Sequence, residues 1–189
     1  IEKSYIQGYY ETGAIVGRNR GKIINCTNES KVVGDYFLTG GIAGRNTNTI
    51  ENCTNKGDIY GGEAQTAGIV GNAGNASSSE YQSEILNCYN SGYIHGIGNM
   101  GGIAGWGNGF NIVNCYNIGK LYCENEERGS KGGIICNINE EANNQCINNY
   151  WLDTCGASYG INELSSNEGA ESKTESELKG LASILSDKY

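Results

Sequence analysis

Two short phrases alternate along this chain, and any fold must place five copies of each. The first brackets an apolar pair with glycine: GAIVG at 13–17, GGIAG at 40–44, AGIVG at 67–71, GGIAG at 101–105 and GGIIC at 132–136. The second sets a cysteine among asparagines: INCTN at 24–28, ENCTN at 51–55, LNCYN at 86–90, VNCYN at 113–117 and QCINN at 145–149. Ile15, Ile42, Ile69, Ile103 and Ile134 of the first phrase stand 27, 27, 34 and 31 residues apart. Self-similarity at such a period marks a repeat architecture, in which each unit buries its apolar face only against its neighbours. The longest interval holds the polar stretch 72–84, which reads as an inserted surface loop.

Offsets from the cysteine are nearly constant. Three residues before it stand Ile23, Ile50, Ile85 and Ile112; two after it stand Asn28, Asn55, Asn90 and Asn117; six after it stand Val32, Ile59, Ile94 and Leu121. The opening stretch, IEKSYIQGYY, fits the tail of a repeat with Ile1, Ser4 at the cysteine place, Gly8 and Tyr10. The chain is therefore expected to begin partway through a longer array.

A period near 30 built from short segments and frequent glycine excludes helix pairs, which need a sustained 3.6-residue pattern. The expected fold is all-β: a right-handed parallel β-helix, or β-solenoid, of about five coils. Each repeat supplies three short strands, and each strand pairs with its copy in the next coil about 4.8 Å away. Equivalent residues then form columns. Glycine serves corners and close approaches, and asparagine at a turn stacks as a hydrogen-bonded ladder. The chain has 30 glycines and no proline. The absence of proline agrees with continuous ladders, because proline removes a donor.

The Gly-hydrophobic-hydrophobic-Gly phrase followed by Asn-Cys-x-Asn-x-Gly resembles the GLUG-repeat modules of bacterial cell-surface proteins. Similar repeats occur in adhesin-like proteins and in non-catalytic regions of IgA1-type metallopeptidases. The resemblance covers about residues 1–161. The solenoid is expected over 1–162, followed by a polar connector and an amphipathic cap helix within 163–189. Thr174 and Glu177 have capping-box spacing, and Leu178, Leu181 and Leu185 share one helical face.

Candidate chemistry is sparse. His95 is the sole histidine, and no His-Glu-x-x-His or Gly-x-x-x-x-Gly-Lys-Ser/Thr motif occurs. The aspartates fall at different offsets within the repeat, so they build no catalytic groove. The expectation is a non-enzyme without cofactor or metal. Cys26, Cys53, Cys88, Cys115 and Cys146 are read as a core ladder of reduced thiols, and Asn28, Asn55, Asn90 and Asn117 as a turn ladder. Cys123, Cys136 and Cys155 lie off the thiol line, and their pairing stays open.

If the cysteine faces inward, alternation points other columns outward. Tyr60, Tyr93, His95 and Tyr122 then form an exposed aromatic strip, and Trp151 faces outward by the same count. Such a strip suits a glycan or protein ligand on a host or neighbouring cell surface. The formal charge of −8 without a basic run disfavours nucleic acid, and no apolar stretch is long enough to insert in a membrane. The resulting expectation is a monomeric, extracellular or surface-anchored segment, acting as a stiff spacer and adhesion module. The alternative is an accessory module of a large surface peptidase or glycan-active enzyme.

Overall fold

The computed structural model describes residues 4–74, 82–127, 129–162 and 165–186. Ile1 and the middle of the 72–84 insertion lie outside them. Within the described residues the chain winds as a parallel β-solenoid, and every strand pair between coils is parallel. A single coil shows the plan: Leu38–Gly40, Ala43–Asn46, Thr49–Glu51, Thr54–Asn55 and Ile59–Gly61. Each segment founds a column, so a repeat supplies five strands rather than the three expected. The extra two arise because tight corners split the turn into pieces of two to four residues, too short to leave a periodic signature. The first and second columns fuse in the fifth copy, where Lys131–Ile138 runs unbroken opposite both Met100–Gly101 and Ala104–Asn108.

Register follows the repeat. Ile23 lies opposite Ile50, Ile50 opposite Ile85, and Ile85 opposite Ile112. Val32, Ile59, Ile94 and Leu121 form a second apolar line. Ile42, Ile69, Ile103 and Ile134 are fully buried, whereas Ile15, their counterpart in the first coil, is 46 % exposed. The difference arises because no described coil covers the first.

The glycine phrase and the cysteine phrase meet across the core. A Cβ at Gly41 would stand 2.5 Å from Cγ of Asn55, and one at Gly102 2.5 Å from Cγ of Asn117. Gly68 faces Asn90 in the same way, closer still. Clearance for the asparagine and for the backbone carbonyl of the next coil, not positive φ, is what the second glycine supplies. The left-handed backbone falls instead on the residue before the cysteine: Asn25, Asn52, Asn87, Asn114 and Asn148 have φ of 52° to 58°. Asparagine is among the few non-glycine residues that visit this region readily.

That left-handed corner corrects the fifth copy. Asn148 continues the corner line, so Cys146 falls opposite Ile112 in the isoleucine column and leaves the thiol ladder. Asn149 takes the cysteine place. Trp151 lies opposite Asn117 and is buried at 2 % exposure, not outward. Matching the copy by its cysteine displaces it by three residues; matching by the corner restores it. The opening stretch shifts as well. Gly8 pairs with Gly34 and Tyr5 with Lys31, so Ser4 precedes the fifth column and does not hold a cysteine place.

The solenoid also runs further than residue 162. Ala170–Lys173 pairs in register with Asn149–Leu152, within the stretch expected to be a connector. The helix Glu175–Ser186 follows. Thr174 N–H donates to Glu177 Oε2 at 2.8 Å, and Glu177 N–H to Thr174 Oγ1 at 3.4 Å, which forms the expected capping box. Leu178 is half-buried; the side chains of Leu181 and Leu185 lie outside the described ones.

The clearance argument gives a direct test. Gly102→Ala should lower stability by about 3 kcal/mol through overpacking, measured by urea denaturation. Gly21→Ala, with nothing within 4 Å of the new methyl, should change it by less than about 0.5 kcal/mol.

Candidate functional site

Four of the expected residues gather on the outer face of the fifth column, which comprises Tyr5–Gly8, Lys31–Gly34, Ile59–Gly61, Ile94–Gly96 and Leu121–Cys123. Ile59, Ile94 and Leu121 point inward, so alternation turns Tyr60, His95 and Tyr122 outward in one register row. Tyr93 adjoins this row from the neighbouring position. His95 is the hub. Its ring stacks on Tyr122 at 5.3 Å and on Tyr93 at 6.1 Å, and it meets Tyr60 edge-on at 5.3 Å. Its Nε2 lies 3.1 Å from Glu124 Oε1.

These contacts decide which ring faces a ligand meets. The His95 ring lies nearly parallel to the rings of Tyr122 and Tyr93, and Lys31 Nζ sits 4.0 Å above the Tyr60 ring. Tyr122 makes one stacking contact among the described residues and is 54 % exposed. The cluster therefore offers the Tyr122 face together with ring edges and phenol groups. Partial burial raises the Tyr93 phenol above its ordinary pKa, with Tyr60 adding to the effect. At neutral pH Tyr93 is a hydroxyl donor.

A second aromatic group was not anticipated. Tyr9, Tyr10, Tyr36 and Phe37 cluster at the corner between the fifth and first columns, with Tyr9 stacked on Tyr36 at 5.5 Å and Tyr10 on Phe37 at 4.9 Å. Its signal was present in the sequence: YY follows Gly8 by one residue, and YF follows Gly34 by two. Gln7 Nε2 donates to both Asp35 carboxylate oxygens beside it, at 3.0 and 2.9 Å.

Beneath these surfaces run two polar lines. In the buried asparagine line, Asn28 Nδ2 donates to Asn55 Oδ1 at 2.8 Å, Asn55 to Asn90 at 2.7 Å and Asn90 to Asn117 at 2.7 Å. Each Nδ2 also donates to the carbonyl two residues on: Ser30, Gly57, Gly92 and Gly119. A shorter line joins Asn19 to Asn46 at 2.7 Å and Asn46 to Ser83 Oγ at 2.7 Å. The sequence reading did not include this second line.

Cys26, Cys53, Cys88 and Cys115 do stack, each carbonyl accepting the N–H of the residue after the next place in line. None of the eight cysteines is in a disulfide. Sγ of Cys53, Cys88 and Cys115 donates to the carbonyl two residues earlier, at 3.2, 3.2 and 3.4 Å. The Cys88 thiol, then burial, holds the Cys53 thiol far above its ordinary pKa; the Cys115 thiol does the same for Cys88. Burial pushes Cys146 up to about 12. Off the line, Cys123 Sγ donates to Asn125 O at 3.2 Å and Cys136 Sγ to Asn137 Oδ1 at 2.8 Å. The thiol line is a packing element with no nucleophile in it.

This arrangement, a glycine-cleared corner and an Asn-Cys-Thr-Asn phrase closing one turn, is the segment that matches a known family. Residues 35–60 match the family model of the GLUG motif. No curated protein and no solved structure matches the chain. The GLUG segment runs from the corner after Gly34 to Tyr60, which is one complete turn through all five columns. Its register partners in neighbouring coils carry the same columns onward.

Two measurements follow. Asn90→Ala strips four hydrogen bonds from a buried site and should cost about 3 kcal/mol in chemical denaturation. The thiols set a pH dependence. The folded pKa values of Cys26, Cys53, Cys88, Cys146 and Cys155 are raised, while unfolded thiols ionise near about 8.5. The folded state thus keeps protons that the unfolded state loses, and stability falls as pH rises above that value. The melting temperature should be level from about pH 6 to 8 and drop between about pH 9 and 11.

Proposed function

We propose that this chain is a non-catalytic module of a secreted or cell-surface protein, a stiff spacer whose fifth-column face presents aromatic groups to a glycan. The observation that carries this reading is the gathering of Tyr60, Tyr93, His95 and Tyr122 from three coils onto one sheet face. Stacked parallel columns hold their spacing, so the rings are fixed before a ligand arrives and little side-chain entropy remains to be lost. The open face of Tyr122 suits the apolar face of a sugar ring, and the Tyr93 phenol with Glu124 supplies a donor and an acceptor for its hydroxyls.

Stiffness has its own support. The core columns and the asparagine line pass through consecutive coils without interruption, so bending the solenoid requires breaking several contacts together. The GLUG motif supports a repeat module. The adhesive role, the glycan ligand and the location at a surface are this reading's own.

A glycan array with the wild-type chain and the Tyr93→Ala/Tyr122→Ala pair tests the proposal. Any wild-type glycan signal should weaken about tenfold or more in the double variant, since two ring contacts are each worth about 1 kcal/mol. The variant's melting temperature should stay close to that of the wild type. Binding that is unchanged in the double variant removes this face as the site.

A further inference from the structure

Four asparagines stand two residues before a hydroxyl: Asn25-Cys-Thr27, Asn28-Glu-Ser30, Asn52-Cys-Thr54 and Asn75-Ala-Ser77. The Asn-x-Ser/Thr triplet is the acceptor sequence for N-linked sugar. A chain rich in asparagine, serine and threonine acquires such triplets by composition, so the fold has to discriminate among them. Asn75 lies outside the described residues. The core excludes Asn28. It is 3 % exposed, and its Nδ2, the atom that would carry the sugar, donates to Ser30 O at 3.0 Å and to Asn55 Oδ1 at 2.8 Å.

Asn25 and Asn52 differ from it on each count. Both occupy left-handed corners, with φ of 58° and 52°, and both are exposed. Asn28 and Asn55 point inward in the fourth column, so alternation turns Thr27 and Thr54 outward beside these corners. Among the described residues no hydrogen bond engages either corner amide or either threonine hydroxyl. In the later coils the same corner is closed. Asn114 Nδ2 donates to Asn87 Oδ1 at 3.2 Å, and Asn148 Nδ2 to Asn114 Oδ1 at 3.4 Å. Tyr89, Tyr116 and Tyr150 take the threonine place, with Tyr89 stacked on Tyr116 at 4.3 Å. The outer corner thus has a tyrosine-flanked stretch of paired amides and an open stretch of two coils. Ile24, 44 % exposed, adjoins Asn25 in that open stretch.

We infer that Asn25 and Asn52 are acceptor sites for N-linked glycosylation. The donor is a sugar activated as an anomeric pyrophosphate ester. The side-chain amide nitrogen attacks the anomeric carbon, and a C–N bond forms as the anomeric C–O bond breaks. The electron pair of that bond leaves on the pyrophosphate, and one amide proton passes to a base of the transferase. The product is still a neutral amide, so the corner gains no charge. Its backbone bonds, Asn25 N–H to Glu51 O and Asn52 N–H to Leu86 O at 3.0 Å each, take no part in the step. This inference concerns sugar attached to the chain and is independent of the aromatic face proposed to bind it.

The test treats the folded chain with a soluble asparagine glucosyltransferase and UDP-glucose, then maps tryptic peptides by mass spectrometry. Hexose should appear at Asn25 in peptide 23–31 and at Asn52 in peptide 46–56, with none at Asn28, Asn87 or Asn114. Peptide 23–31 treated after digestion should take sugar at Asn28 too, because its burial is gone. Thr27→Ala and Thr54→Ala keep the asparagine corners, and each should reduce labelling to background in its own coil only. Their melting temperatures should stay close to that of the parent, since both side chains face outward. Sugar on Asn28 of the folded chain, labelling of Asn87 or Asn114, or labelling that survives the threonine substitutions would overturn the assignment. Absence of sugar from both corners would overturn it as well.

Discussion

A buried primary amide carries two donor hydrogens and an acceptor oxygen, and an apolar core tolerates it only when these are used. In this solenoid the asparagine line meets that demand by repetition. Each amide closes a small ring with the backbone two residues on and spends its remaining capacity on the next coil. The opposite wall is stripped of side chain at Asn55, Asn90 and Asn117, where Gly41, Gly68 and Gly102 face the amides across the core, and Ala14 holds that place in the first coil. The two phrases that recur in the sequence are thus two halves of one contact. The apolar columns add most of the buried area, but their register follows from the amide spacing.

The same contact accounts for how the last coil ends. Trp151 replaces asparagine and still packs over a glycine, Gly133, so the clearance designed for an amide admits an indole. Asn149 replaces cysteine and uses its amide differently. Its Oδ1 accepts the Cys115 N–H at 2.9 Å, and its Nδ2 donates to Ile112 O at 2.8 Å. Polar and apolar occupants have exchanged columns without disturbing the coil beneath. Such an exchange is possible because each coil contacts only its neighbours.

Much of this was legible in the residues. Columns of isoleucine, asparagine and cysteine could be laid over one another because five copies repeat the same offsets, and the aromatic face followed from alternation. The failures have physical causes. The five short strands of a coil looked like three because a two-residue strand has no period. The fifth copy was misplaced because its cysteine is a weaker marker than the left-handed Asn148, whose conformation leaves no trace in composition. Ala170–Lys173 read as a linker because only Ala170 faces the core. The Tyr9 and Tyr36 cluster was overlooked because it sits on a corner, where alternation gives no direction.

The account stands on the side-chain amides being structural hydrogen bonds of the core. Hydrogen exchange of the Asn55 and Asn90 Nδ2 groups, followed by NMR, examines this most directly. The prediction is protection matching that of the slowest backbone amides, with exchange requiring coil separation. Exchange at the rate of exposed asparagine amides, with the backbone still protected, would show that the line does not hold the coils together.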